Sequence, residues 1–197
     1  HYDHIGYGGT YSLDTDRMEK NKIHNGADDN ASGVALLLNL AERLIKEDSS
    51  NNNYLFIAFS AEELGLIGSK YFAENPLISL ENANYMINLD MVGRLNTEKE
   101  LSVFGAGTSP IFRQVINSLN NSFSLKIIDD GTGPSDHTSF YNKGIPVLFF
   151  NSGSHQDYHR STDDFELINF DGIVEISNYV FDIINELNNY GKLNFSE

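Results

Sequence analysis

Tyr54-Leu55-Phe56-Ile57-Ala58-Phe59-Ser60-Ala61-Glu62-Glu63 is the stretch whose reading sets the fold. Its first six residues form a nearly unbroken apolar run, the pattern of a strand covered on both faces. The run ends at two adjacent carboxylates. In open α/β sheets ligands bind beyond the carboxyl ends of the strands, so Glu62 and Glu63 stand where chemistry collects.

The same layout recurs outward from this stretch. Asn84 to Leu89 reads as a strand that runs into Asp90, and Ile145 to Phe150 as an apolar strand whose continuation, Asn151, leads on to His155 and His159. Leu101 to Phe104 and Leu125 to Ile128 are further strands. Between them lie segments of helical spacing. Val34, Leu37, Leu38, Ala41 and Leu44 predict a helix from Ser32 to about Glu47, and others are expected at 66–74, 110–119 and 137–142. The last, from about Asp171 to Leu187, presents Ile173, Ile176, Val180, Ile183 and Ile184 as a core stripe. Strands alternating with helices predict an α/β sandwich with a mainly parallel central sheet. The polar segment from Gly6 to Gly26 reads as a surface loop beside the site.

The chain has 197 residues, 13 Lys+Arg against 28 Asp+Glu, a formal charge of −15 and no Cys. A chain of this size buries roughly 70% of its unfolded surface, enough for one core without staples. Without Cys, disulfide scaffolds and thiolate zinc fingers are excluded, and any metal must be held by His and carboxylates. The acidic balance leaves no basic patch for nucleic acid. No apolar run reaches the ~18–20 residues of a membrane span, and His1-Tyr2-Asp3-His4 lacks a signal peptide's basic start. No repeat is visible, and the polar patch Asp48 to Asn53 is the nearest approach to low complexity. The expectation is one domain over 1–197 with no nucleic-acid partner.

His1-Tyr2-Asp3 and Asp28-Asp29 flank the polar loop and can join Glu62-Glu63, Asp90 and His159 in one cleft. A donor set of imidazoles and carboxylates suits zinc. Each element also has a plainer reading. Glu62-Glu63 alone is a solvated acidic pair. Asp28-Asp29-Asn30 before a helix can serve capping, with Asn30 or Ser32 as the N-cap, and Asp90 can be a strand-end cap. Asp28 and Asp29 compete for any bridging position.

Six motifs in register resemble the co-catalytic zinc aminopeptidases of metallopeptidase family twenty-eight. They are His1-Tyr2-Asp3, Gly26-Ala27-Asp28-Asp29-Asn30-Ala31-Ser32-Gly33, Ser60-Ala61-Glu62-Glu63-Leu64-Gly65, Asn88-Leu89-Asp90, Ser135-Asp136-His137 and Tyr158-His159. The resemblance covers nearly the whole chain and implies a three-layer sandwich of the zinc-dependent exopeptidase type, phosphorylase/hydrolase-like. It implies that Asp29 bridges two zinc ions, with His1 and Asp90 completing one site and Glu63 and His159 the other. Glu62 would be general base and acid, and Tyr158 the donor to the oxyanion. Two such ions, about 3.5–4 Å apart, share a hydroxide and polarise the scissile carbonyl. Asp3 would fix the His1 imidazole, Asp163 would do the same near His159 by analogy, and the Asp29-Asn30 peptide would be cis.

His4, His24 and His155 carry no role in the resemblance and read as surface or structural residues. Arg94 reads as a surface or ion-pairing residue and not as a substrate clamp. Asp136-His137 has either a structural role or a part in holding the substrate amine. The expected activity is release of amino-terminal residues from peptides with a free amino terminus. The rivals are a single-zinc glutaminyl cyclase on the same fold and an inactive binding module. Because the first ligand is residue 1, the chain reads as a domain truncated at its amino end. An extracytoplasmic location is expected on family grounds, and oligomeric state is open.

Overall fold

A computed structural model describes residues 1–15, 22–47, 52–120 and 122–197. Parts of the polar loop and of the Asp48 to Asn53 patch lie outside these residues. The sheet is built on strand β4, Val147–Asn151, whose first four residues are buried because both faces are covered. β4 pairs in parallel with β1, Met86–Leu89, and antiparallel with β2, Glu100–Phe104, which pairs in parallel with β3, Ser124–Ile127. The order is β1-β4-β2-β3. Pro146 precedes β4 because it has no N–H to give, yet its carbonyl still accepts from Met86 N at 2.9 Å.

Helices α1 (Gly33–Glu47), α3 (Phe112–Leu119) and α5 (Phe170–Leu187) cover one face, and α2 (Ile67–Glu74) and α4 (His137–Tyr141) the other. This gives the three layers expected. The larger core joins Leu36, Leu40 and Leu44 of α1 to Val115, Ile116, Ile176, Val180 and Ile183 over Val103, Leu148 and Phe150. The smaller joins Phe59, Phe140, Ile145 and Val147. The α5 stripe falls as its spacing predicts, whereas α1 is turned. Leu36, Leu40 and Leu44 face inward and Leu38 is exposed. Consecutive leucines offer two overlapping stripes, and packing against α5 selects between them. Among the described residues no helix is long and apolar enough to cross a membrane.

Tyr54 to Phe59 departs from its reading. It forms no strand ladder among the described residues; its one main-chain bond outside helices and strands is Tyr2 N to Phe59 O at 2.9 Å. Leu55 and Phe56 are exposed, and only Phe59 is fully within the core. Apolar composition supplies the propensity of a strand, but a ladder also needs a partner in register, and β1 pairs only with β4. The run still delivers Glu62 and Glu63 to the same end of the sheet as Asp90.

Candidate metal centre

β1 and β4 run parallel, so the segments that leave their carboxyl ends emerge on one side of the sheet. Asp90 comes directly after β1. Three residues there have left-handed backbone: Ala61 (φ 55°) before Glu62, Met91 (φ 55°) after Asp90, and His159 itself (φ 53°). Such φ values cost non-glycine residues about 1–3 kcal/mol each and cluster where a chain is bent to aim a side chain.

Asp29 is central. Its Oδ1 lies 3.3 Å from His1 Nε2 and its Oδ2 3.4 Å from His159 Nε2, so one carboxylate faces two imidazoles with different oxygens. His1 Nε2 is also 3.6 Å from Asp90 Oδ1 and 3.8 Å from Glu62 Oε2. On the other side His159 Nε2 is 2.9 Å from Glu63 Oε2. The structure thus brings His1, Asp29, Glu62, Glu63, Asp90 and His159 together. Asp28 does not compete with Asp29: its Oδ1 accepts from Gly93 N and Ser32 Oγ, and its Oδ2 pairs with His155 Nε2 at 3.0 Å. That contact also holds His155 away from the cluster.

The framework is polar and buried. Asn30 accepts from Gly33 N at the start of α1, which makes it the cap of the two candidates. The same side chain donates to Leu89 O and accepts from Met91 N, gripping the backbone on both sides of Asp90. Asp163 accepts from the amides of Asp28 and Asp29 at 2.9 and 3.1 Å, and its other oxygen pairs with Arg94 at 2.9 Å. Asp163 therefore holds Asp29 by its backbone and does not orient His159, whose Nδ1 instead meets Tyr11 O at 3.1 Å. The Asp29-Asn30 peptide is cis. For His1 the partner at Nδ1 is the backbone carbonyl of Asp3 at 2.9 Å; the Asp3 carboxylate stands 3.9 Å away. Asp136 lies behind, its Oδ2 3.8 Å from the backbone nitrogen of His1, and His137 stacks on Phe149.

The charges of this cluster call for a cation. Burial works against charge on His1, yet the neighbouring carboxylates of Asp29 and Asp90 push it up to about 12. His159 behaves alike: burial opposes, Asp29 and Glu63 prevail, and it rises to about 10. Burial also works against the charge on Asp29, but the two imidazoles hold its carboxyl well below the usual range. Glu62 goes the other way. Its burial, opposed by His1 and aided by Asp90, Glu63 and Asp136, raises it to about 8. Tyr158 stacks on His159 with ring centres 4.0 Å apart, and burial with the nearby carboxylates raises its phenol, keeping the O–H.

These residues fit a metal. Asp90 Oδ1 is buried with no hydrogen-bond partner, and His1, Asp29 and Asp90 offer one donor atom each within 4.8 Å of one another. Nitrogen and oxygen donors without thiolate suit zinc. Sequence reasoning misses His4, which joins Asp29 and Glu63 in a second such group. The available signal is its place three residues after His1.

An α/β sandwich with a cluster of imidazoles and carboxylates past the ends of two parallel strands defines a class of metal-site proteins. The chain belongs to Peptidase family M28, whose profile matches residues 1–184. It is 34% identical over 140 residues to leupeptin-inactivating enzyme 1 of Streptomyces exfoliatus, covering 69% of this chain and 31% of that protein. It is 32% identical over 155 residues to aminopeptidase YwaD of Bacillus subtilis, covering 73% and 33%. The solved structure of BSAP, a zinc aminopeptidase from Bacillus subtilis, superposes with a TM-score of 0.71 at 29% identity, over 88% of this chain and 46% of that one. The chain spans about a third of the length of the two curated relatives.

Proposed function

We propose that this chain carries the catalytic site of a zinc aminopeptidase that releases residues from the free amino terminus of peptides, with two zinc ions at the cluster. The observation that carries the reading is the division of the Asp29 carboxylate between His1 and His159. The descriptions of YwaD and BSAP as aminopeptidases support it. His1 and Asp90 would hold one ion, Glu63 and His159 the other, and Asp29 both. When bound, the ions supply Lewis-acid polarisation of the peptide carbonyl and lower the pKa of water.

The chain's own groups do the rest. Glu62, beside the cluster but least suited to carry charge there, takes a proton from the attacking water and returns it to the leaving amine. Tyr158 keeps its proton and donates to the carbonyl oxygen as charge develops on it.

The test is metal content per chain together with release of amino acids from aminoacyl-anilides. Two zinc ions with turnover are expected, and Glu62→Gln should lower turnover on the order of 10²–10⁴-fold while keeping both. One zinc with cyclisation of amino-terminal Gln would replace this reading with a cyclase. Failure across a broad peptide panel would leave a binding module.

A further inference from the structure

His4 lies inside the cluster, yet neither the spacing nor the proposed ligand set gives it a task. Its side chain is 6% exposed. Its Nδ1 stands 2.8 Å from Glu63 Oε1, and 3.9 Å from Asp29 Oδ2. Glu63 is therefore divided as Asp29 is: Oε1 goes to His4, while Oε2 points at His159 Nε2.

The chain makes room for this imidazole. Gly26 has φ 61°, and a Cβ there would come within 2.6 Å of His4 Cγ and 2.2 Å of Asp29 O. On another side the His159 ring meets His4 edge-on with centres 5.6 Å apart. Confined between these neighbours, the ring has little freedom to turn. The other three histidines outside the ligand set are engaged elsewhere, His24 with Ser12, His155 with Asp28 and His137 in a stack on Phe149.

We propose that His4 is a positioning residue for the second metal position: Nδ1–H donates to Glu63 Oε1, committing that oxygen and leaving Oε2 as the single oxygen directed at the metal. The proposal rests on the reading of Glu63 and His159 as ligands of the second of two ions. A nitrogen that carries the donated hydrogen has no lone pair for a metal, so Nδ1 is not itself a ligand. Partners of this kind fix the orientation of ligands, and their loss lowers metal affinity about 10–100-fold.

Two variants separate donation from packing. His4→Phe keeps a ring and removes the donor; His4→Asn shrinks the side chain but places an N–H near the position of Nδ1. Metal-free wild type and both variants are titrated with Zn²⁺ against a chromophoric chelator, and with Co²⁺ by visible absorption, with circular dichroism as a check of folding. Wild type should show two binding phases. His4→Phe should keep the tighter phase and weaken the second about 10–100-fold with an altered cobalt spectrum. His4→Asn should recover most of that loss. The proposal is overturned if His4→Phe leaves the second phase unchanged, or if His4→Asn loses as much as His4→Phe, which would make the imidazole a ligand or a packing element. A single phase in wild type would instead remove the two-metal reading, and this proposal with it, and no variant would then show a second phase to lose.

Discussion

His1 and His159 stand on opposite sides of Asp29, and they are held by different kinds of structure. The His1 side chain is 1% exposed, and the carboxylate it shares with Asp29 is Asp90, at the end of a strand paired in the sheet. Asp90 is steadied further by Ser135 Oγ at 2.6 Å. His159 is 14% exposed and sits on a turn, with its Nδ1 on a carbonyl of the 6–15 loop and its carboxylate partner Glu63 steadied by His4. One half of the cluster draws its rigidity from the core and the other from loops bonded to loops. A site built on strands is held more closely than one built on loops, and local opening begins where buried apolar contacts are few.

The comparison gives an ordering of metal affinities that can be broken. On the proposed assignment Asp90→Asn should abolish the tighter of two zinc phases, whereas His159→Gln should leave one tight ion per chain; competition with a chelator reads both. Loss of both ions from His159→Gln would mean that the halves are not separate. A smaller and more even effect is expected from Asp163→Ala. Asp163 grips the amides before and at Asp29, the residue common to both halves, so its loss should weaken both phases together, about 10–100-fold. If only one phase weakens, Asp29 is not shared.

A separate expectation concerns stability against pH in the metal-free protein. His159 titrates near 6.5 when unfolded and about 10 when folded, and His1 near 6.5 and about 12. The stability they contribute is complete below pH 6.5 and is lost as the pH rises through the folded values. Glu62, raised from 4.5 to about 8, lowers stability further as the pH climbs between those values. Thermal melts in chelator should therefore show a midpoint falling from pH 6.5 to 10. Metal-loaded protein, whose imidazoles are already deprotonated, should fall less over the same range. Equal slopes with and without metal would detach the three groups from the cluster.

The features legible in the sequence are those that repeat in it. Alternating apolar runs and helical stripes are enough for the layers. A carboxylate pair or aspartate at the end of an apolar run is enough to bring Glu62, Glu63 and Asp90 to one side. Only the register of the motif, and not spacing or composition, selects Asp29 over Asp28 to face the imidazoles, because the physical choice lies in which carboxylate Gly93, Ser32 and His155 engage. Nor does it show that Asp163 works on two amides and not on His159, or that His4 reaches Glu63 across 59 positions of chain. Tyr54 to Phe59 reads as a strand and is none, because apolar composition reports what a strand is made of and says nothing of whether a neighbour exists to pair with it.

The grip of Asp163 on Asp28 spans 135 residues, and that on Asp29 spans 134. Contacts so distant along the chain require most of the polypeptide to be collected before they form. On a ribosome, the amides of Asp28 and Asp29 emerge early and wait, unclamped, until the stretch carrying Tyr158, His159 and Asp163 has joined them. The clamp on Asp29 and the approach of His159 to it are thus late events in folding, set by the same stretch of chain.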